Sequence, residues 1–309
     1  GLVALGLLAI GFGRRGAPAL VPVFAAVAWQ GAAILPFTPL FPLEVKPAER
    51  ADAPRLRILL ANVLQDNRDA AALLDEVARL DPDLVLAMET DAWWAEALTP
   101  LHATYPHRLS APLPNTYGII LYARVPFEEG EVRYLIEPDI PSVHATFRLG
   151  GRPIRFHGVH PQPPVPGEGR GSSAPRDAEL VVVGRAVRER GLPAIVAGDL
   201  NDVAWSATTR LFRKVSGTLD PRKGRGLYAS FHAQIPLLRF PLDHVFHTPE
   251  LRLRSLRVLP SVGSDHFPVF VELAWEPEAW RVQPHPEPDR DDLDEARAVM
   301  EEVRPDPPR

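Results

Sequence analysis

The chain has 309 residues, is 46% hydrophobic and 24% charged, and carries a net charge of −5. That length and apolar content suit one or two folded domains and exclude a wholly disordered polypeptide, while the absence of cysteine removes disulfide frameworks, thiolate metal sites and cysteine nucleophiles together. Residues 276–309 hold eleven acidic and five basic side chains, a net of −6 that leaves residues 1–275 at +1, so no strong basic field marks the body as a binder of duplex DNA.

Gly1 stands where a methionine would, opening an uncharged run to Gly13, and the numbering is expected to start inside a longer precursor. Arg14-Arg15 follows, then a second uncharged stretch from Ala17 to Leu35. Nineteen apolar-biased residues approach the ~20 that cross a bilayer, and Trp29 suits an interface, so residues 1–35 read as transmembrane segment(s). A cleaved signal peptide is the competing reading of the same residues. With Arg14-Arg15 held inside, the remainder would be a membrane-bound domain facing away from the cytoplasm.

Residues 36–54 contain five prolines and read as an extended linker. Residues 55–275 then alternate short apolar runs with helical patterns. Strands are predicted at Leu56–Ala61, Leu84–Met88, Gly118–Tyr122, Ser142–Leu149, Ile154–Val159, Ala194–Ala197, Asp243–Phe246 and Pro268–Leu273. Helices are predicted at Arg68–Leu80, Ala92–Leu98, Pro175–Arg190 and Ser206–Phe212. Most of the strand runs are apolar at successive positions, as expected of strands buried on both faces. Residues 276–309, acidic and proline-rich, read as a disordered tail in which Leu293–Val303 has a short helical pattern.

The chemistry-bearing residues sit at the ends of these runs, where a strand delivers its side chain to the sheet rim. Asn62 closes LRILLAN, Glu89 closes DLVLAME, and His160 closes IRFHGVH. Asp199 and Asn201 follow AIVAG, Asp243 opens LDHVF, and Asp265-His266 precedes the last strand. Each alone has an ordinary structural explanation such as a cap or a satisfied histidine. Their joint placement is harder to explain that way.

Asn62, Glu89 in PDLV-x-x-x-E, His160, GD-x-N at 198–201, Asp243 and SDH-x-P at 264–268 resemble the endonuclease/exonuclease/phosphatase superfamily, the deoxyribonuclease-I-like fold. The apolar N-terminal runs and the HP-x-PP stretch from His160 resemble its bacterial membrane-anchored branch. The resemblance implies an α+β, four-layer α/β/β/α sandwich preceded by the membrane segments. It also implies a metal-dependent phosphoesterase. Mg²⁺, with Mn²⁺ as the alternative, would be held by Glu89 with Asn62 and Asp265 beside it, an oxygen set such ions prefer.

Asp199 is then expected to orient or deprotonate the attacking water. Asn201, two residues on along an extended stretch, would hold a phosphoryl oxygen from the same side. His266, its ring held by Asp243, would meet the phosphoryl group as a cation, with His160 opposite. The expected partners are a phosphoester substrate, nucleic acid or phospholipid, and the bilayer, with no obligate protein partner. A small phosphomonoester, and a non-catalytic binding protein on the same fold, are the remaining readings. Arg222-Lys223-Gly224-Arg225 reads either as a substrate contact or as a solvated turn.

Overall fold

The computed structural model describes residues 17–164 and 173–303. Eleven strands build two mixed sheets. One has six strands in the order β10-β11-β1-β2-β4-β3, the other five in the order β5-β6-β7-β8-β9. In the first, β1 (Arg55–Asn62) lies parallel to β2 (Leu84–Met88) and antiparallel to β11 (Val269–Trp275), while β4 (Ile119–Ala123) joins β2 to the edge strand β3 (His107–Ala111). Strand β10 (Leu251–Val258) forms the other edge. In the second sheet, β5 (Phe127–Tyr134), β6 (Pro141–Leu149) and β7 (Arg152–Gly158) run antiparallel in turn. Strand β8 (Ala194–Asp199) is parallel to β7, and β9 (Asp243–His247) closes the sheet antiparallel to β8.

Strand periodicity explains how apolar runs make this sandwich. Leu56, Ile58 and Leu60 of β1, and Leu84, Leu86 and Met88 of β2, point into a core shared with Val143, Ala145 and Phe147 of β6 and Ile195 and Ala197 of β8. The alternate residues Leu59, Ala61, Val85 and Ala87 point outward to Leu73 and Val77 of α2 (Ala71–Leu80) and to Trp94 of α3 (Ala92–Ala97). On the far side Val196 and Phe246 meet Leu180 and Val183 of α4 (Ala174–Arg190) and Phe212 of α5 (Ala207–Ser216). Helices outside, two sheets within: the expected layers are present.

Three edge strands have no counterpart in the prediction. β3, β5 and β10 read HRLSA, FEEGEVRY and LRLRSLRV, and polar residues interrupt the apolar runs by which the other strands are found.

Two expectations about the flanks are corrected, and a third concerns the apolar N-terminal residues. Helix α1 (Ala17–Ile34) forms where a transmembrane segment was expected, with Pro22 inside it. Among the described residues no helix is long and apolar enough to cross a membrane. The apolar run Gly1–Gly13 and Arg14-Arg15 lie outside the described residues.

The linker is not an extended spacer throughout. Residues 17–43 group with Arg222–Gly226 in one compact unit, and Glu44–Pro221 belongs to the unit that holds the sandwich. Within the first unit the Gly224 N–H donates to Pro36 O, and a side chain at Gly224 (φ +77°) would strike the Pro42 backbone. The basic loop is therefore a packed turn. In the second unit Val45 is fully buried, Pro47 bridges Leu253 of β10, and the Glu276 carboxylate accepts the N–H groups of Glu49 and Arg50.

The tail is not disordered through its described part. Helix α6 (Arg290–Glu302) opens with a reciprocal capping box between Asp289 and Asp292, and Ala296 packs on Val181, Leu211 and Val215 of α4 and α5. The short helical pattern at Leu293–Val303 marks this helix, which needs only one narrow apolar stripe, and Lys214 pairs with Asp292 beside it.

Candidate active site

The predicted rim residues converge. β8 and β9 pair so that Asp199 lies directly opposite Asp243. Two buried carboxylates so placed repel unless a cation intervenes. His266, from the loop before β11, supplies it: Nδ1 lies 2.8 Å from Asp243 Oδ2 and Nε2 lies 3.4 Å from Asp199 Oδ2. Burial works against charge on the ring, but the Asp199 and Asp243 charges outweigh it and push His266 up to about 10. Burial likewise opposes ionisation of Asp243, whose carboxyl is nevertheless held low by His266 and by the Ser230 hydroxyl. Asp199 keeps a raised carboxyl because burial there exceeds the pull of His266.

Asn62 joins this array to the other sheet. Its amide nitrogen donates to Glu89 Oε1 at 2.8 Å and to Asp199 Oδ2 at 3.1 Å, while its Oδ1 accepts the Leu64 N–H. So oriented, Asn62 bridges carboxylates instead of presenting its oxygen to a cation. Glu89, the residue after β2, has φ +60°, an uncommon conformation for a non-glycine residue and one that the surrounding packing must impose. Burial raises its carboxyl above the ordinary value, and the Asp265 charge adds to that. Glu89 and Asp265 are hard oxygen donors of the number Mg²⁺ or Mn²⁺ takes from protein, the remaining positions going to water and substrate. Asp199, Asp243 and His266 also form a group whose ligand atoms lie within 4.8 Å of one another. There the imidazole already lies between the two carboxylates.

His160 and Asn201 reach the site in ways the sequence did not suggest. His160 Nε2 lies 3.9 Å from Asp199 Oδ2, its Nδ1 has no hydrogen-bond partner, and burial lowers its pKa. Burial thus favours its neutral form. Asn201 does not continue an extended strand: β8 ends at Asp199, and Asn201 has φ +51°. Its N–H donates to Asp199 Oδ1 at 2.9 Å and its amide to Pro161 O at 3.0 Å, so it clamps the loop after β8.

Gly198, inside β8, lets the backbone after β7 pass close. With φ +149°, a side chain there would meet Val159 O at 1.8 Å.

Several contributors were missed. Tyr117 places its ring 5.8 Å from that of His160, and the Glu89 charge is felt at its hydroxyl. Buried Arg176 donates to Asn201 O at 3.0 Å and pairs with Asp202 at 3.4 Å. Met88 Sδ accepts the Asp199 N–H at 3.1 Å across the two sheets. Ser230 Oγ accepts the Asp243 N–H, and Ser264 Oγ that of His266. The NTYG turn before β4 was the only visible signal among them; the others are generic residues whose roles exist only in the folded chain.

Residues 59–266 match the model of the Endonuclease/Exonuclease/phosphatase family, more than half of the chain. The chain belongs to that family. It is accordingly a hydrolase of phosphoester bonds. The family match begins in β1 and ends at His266, so it spans every residue of the array described above. Nothing among curated proteins matches the chain. Solved structures similar to this family member include D. rerio TDP2 complexed with single strand DNA product, at 17% identity and TM-score 0.59, covering 71% of this chain and 98% of that one. The human Nocturnin catalytic domain with bound sulfate anion is 16% identical, TM-score 0.58, covering 72% and 95%. Sphingomyelinase C from Streptomyces griseocarneus is 17% identical, TM-score 0.53, covering 71% and 99%. At these identities the likeness is one of fold.

Proposed function

We propose that the chain hydrolyses a phosphodiester with the help of a divalent cation, Mg²⁺ or Mn²⁺, at the rim formed by Glu89, Asp199, Asp243, Asp265 and His266. The observation that carries the reading is the Asp199–His266–Asp243 array: a base beside a fixed imidazolium, both buried. Glu89 and Asp265 would hold the divalent cation, which when bound would supply neutralisation of the phosphoryl charge and acidification of water. Asp199, whose carboxyl is raised by burial, orients the attacking water and accepts its proton. His266, held in one orientation by Asp243, donates from Nε2 to the phosphoryl group as negative charge develops there. Neutral His160 and the Asn62 amide flank the same carboxylate and fix where the water sits. Nucleic acid and phospholipid both contain the required bond, and the similar structures include proteins named for each.

The test is hydrolysis of bis(p-nitrophenyl) phosphate, with Mg²⁺ or Mn²⁺ supplied, by the wild-type chain and by Asp199→Ala. A loss of about 10²–10³-fold in turnover is expected in a folded variant. Turnover near wild type would overturn the assignment, and a wild-type chain that binds the cation without turnover would favour a non-catalytic binding protein.

A further inference from the structure

Residues 227–242 read LYASFHAQIPLLRFPL, and they form a lip beside the catalytic imidazole. The lip is a folded hairpin: His232 N donates to Leu238 O at 2.9 Å, Leu238 N to Ile235 O at 2.9 Å, and the backbones of Phe231 and Phe240 bond each other. It is fastened to the His266 loop by Ala233 N to Asp265 O and Phe267 N to Ser230 O, both 2.7 Å. The Phe231 ring stands 4.9 Å from the His266 ring.

What this hairpin presents to solvent is apolar. Leu237 is 94% exposed, Leu238 50%, Ile235 42% and Phe240 39%. Contiguous exposed aliphatic side chains cost solvation free energy and mark a surface that is covered by something else. An open pocket of about 490 Å³, lined by Tyr228, Ala229, Arg239, Val258, Leu259 and Phe267, lies at the base of the lip.

Charge and area decide among possible occupants. The lip carries Arg239 and no carboxylate, so it offers one cation amid aliphatic groups. A nucleic acid is held by several Lys or Arg contacts to phosphates, which this hairpin lacks. A second copy of the chain would need about 800 Å² of complementary surface per partner, more than one hairpin tip supplies. A lipid surface needs neither: aliphatic side chains enter the acyl boundary one by one, and an arginine pairs with headgroup phosphate. In its own unit, helix α1 also exposes large apolar groups, with Val21 and Phe24 at 67% and Trp29 at 75% exposure.

We propose that the hairpin tip Ile235–Phe240 inserts into a lipid surface, so that the phosphodiester reaching His266 belongs to a lipid headgroup. This rests on the phosphodiesterase reading above and narrows it to a substrate presented at an interface.

The chain has no cysteine, so Leu237→Cys creates a single attachment point for an environment-sensitive nitrobenzoxadiazole label. Blue-shifted, brighter emission on adding phosphatidylcholine/phosphatidylglycerol vesicles is expected. The Leu237→Asp/Leu238→Asp variant, compared with wild type by vesicle flotation and by hydrolysis of the vesicle phospholipids, should lose about tenfold or more in both. Its turnover of bis(p-nitrophenyl) phosphate should be unchanged. Unaltered emission with vesicles would overturn the insertion, as would an emission change produced only by raising protein concentration or only by single-stranded DNA. Equal phospholipid hydrolysis by wild type and variant would overturn it while leaving the phosphodiesterase intact. If neither chain hydrolyses any phosphodiester, the catalytic reading fails, and the emission experiment still decides insertion.

Discussion

At the scale of single residues, the site works by setting neighbouring titratable groups against one another. His266 owes its raised pKa to two carboxylates, and Asp243→Asn removes one of them. The ring then loses its proton at lower pH, so the alkaline limb of the pH–rate profile should move downward from about 10; a ¹H–¹⁵N titration of the His266 ring would record the same displacement. A second carboxyl is instructive because it lies outside the site. Glu179 of α4 is buried, its Oε1 has no hydrogen-bond partner, and burial pushes its pKa up to about 8. The folded state therefore holds a proton that the unfolded chain releases near 4.5, and stability should fall as pH rises between those values, by at most ~1.4 kcal/mol per pH unit. Glu179→Gln should flatten that dependence, with a larger gain in Tm at pH 8 than at pH 5. The rim residues were legible because strand ends concentrate unlike residues after apolar runs, as in LRILLAN and IVAGD. The duties of Tyr117, Arg176 and Met88 were not, since a tyrosine, an arginine and a methionine have countless commoner uses.

At the scale of elements, the flanks hold the sandwich closed. Gln283, fully buried, donates its amide to Pro249 O and Leu251 O and accepts the Lys46 N–H. One side chain thus ties the segment before β1 and the segment after β11 to the start of β10. Gln283→Ala leaves these groups buried and unpaired, and a loss of about 1–3 kcal/mol in urea unfolding is expected. A chain ending at Trp275 should lose more, because α6 covers Val181, Leu211 and Val215, and its Tm should be well below that of the chain extending to Val303. The interior strands were visible in sequence because burial on both faces writes an uninterrupted apolar run. The edge strands β3, β5 and β10 carry polar residues that resemble those of a loop, and the single stripe of α6 left only a short helical pattern in an acidic stretch.

At the scale of the whole molecule, the cation is expected to couple to stability. Binding at the proposed ligands Glu89 and Asp265 would favour the folded chain alone, so saturating Mg²⁺ should raise Tm by on the order of a few degrees, and Glu89→Gln should abolish the rise. The paired layers were expected from sequence, and the site's position at one rim follows from them. How its parts were apportioned between the sheets was not, because that depends on which strands cross from one sheet to the other.

That apportionment has a consequence. Asn62 and Glu89 come from one sheet and Asp199 and Asp243 from the other, with His266 reaching over and Met88 bonded to the Asp199 backbone. The active site is thus an alignment between two slabs, which neither slab possesses alone. A slight slip of one against the other would extinguish turnover while each sheet kept its own ladder, so under pressure or mild denaturant the activity should vanish before the circular dichroism changes. Catalysis is the molecule's finest gauge of its own registration.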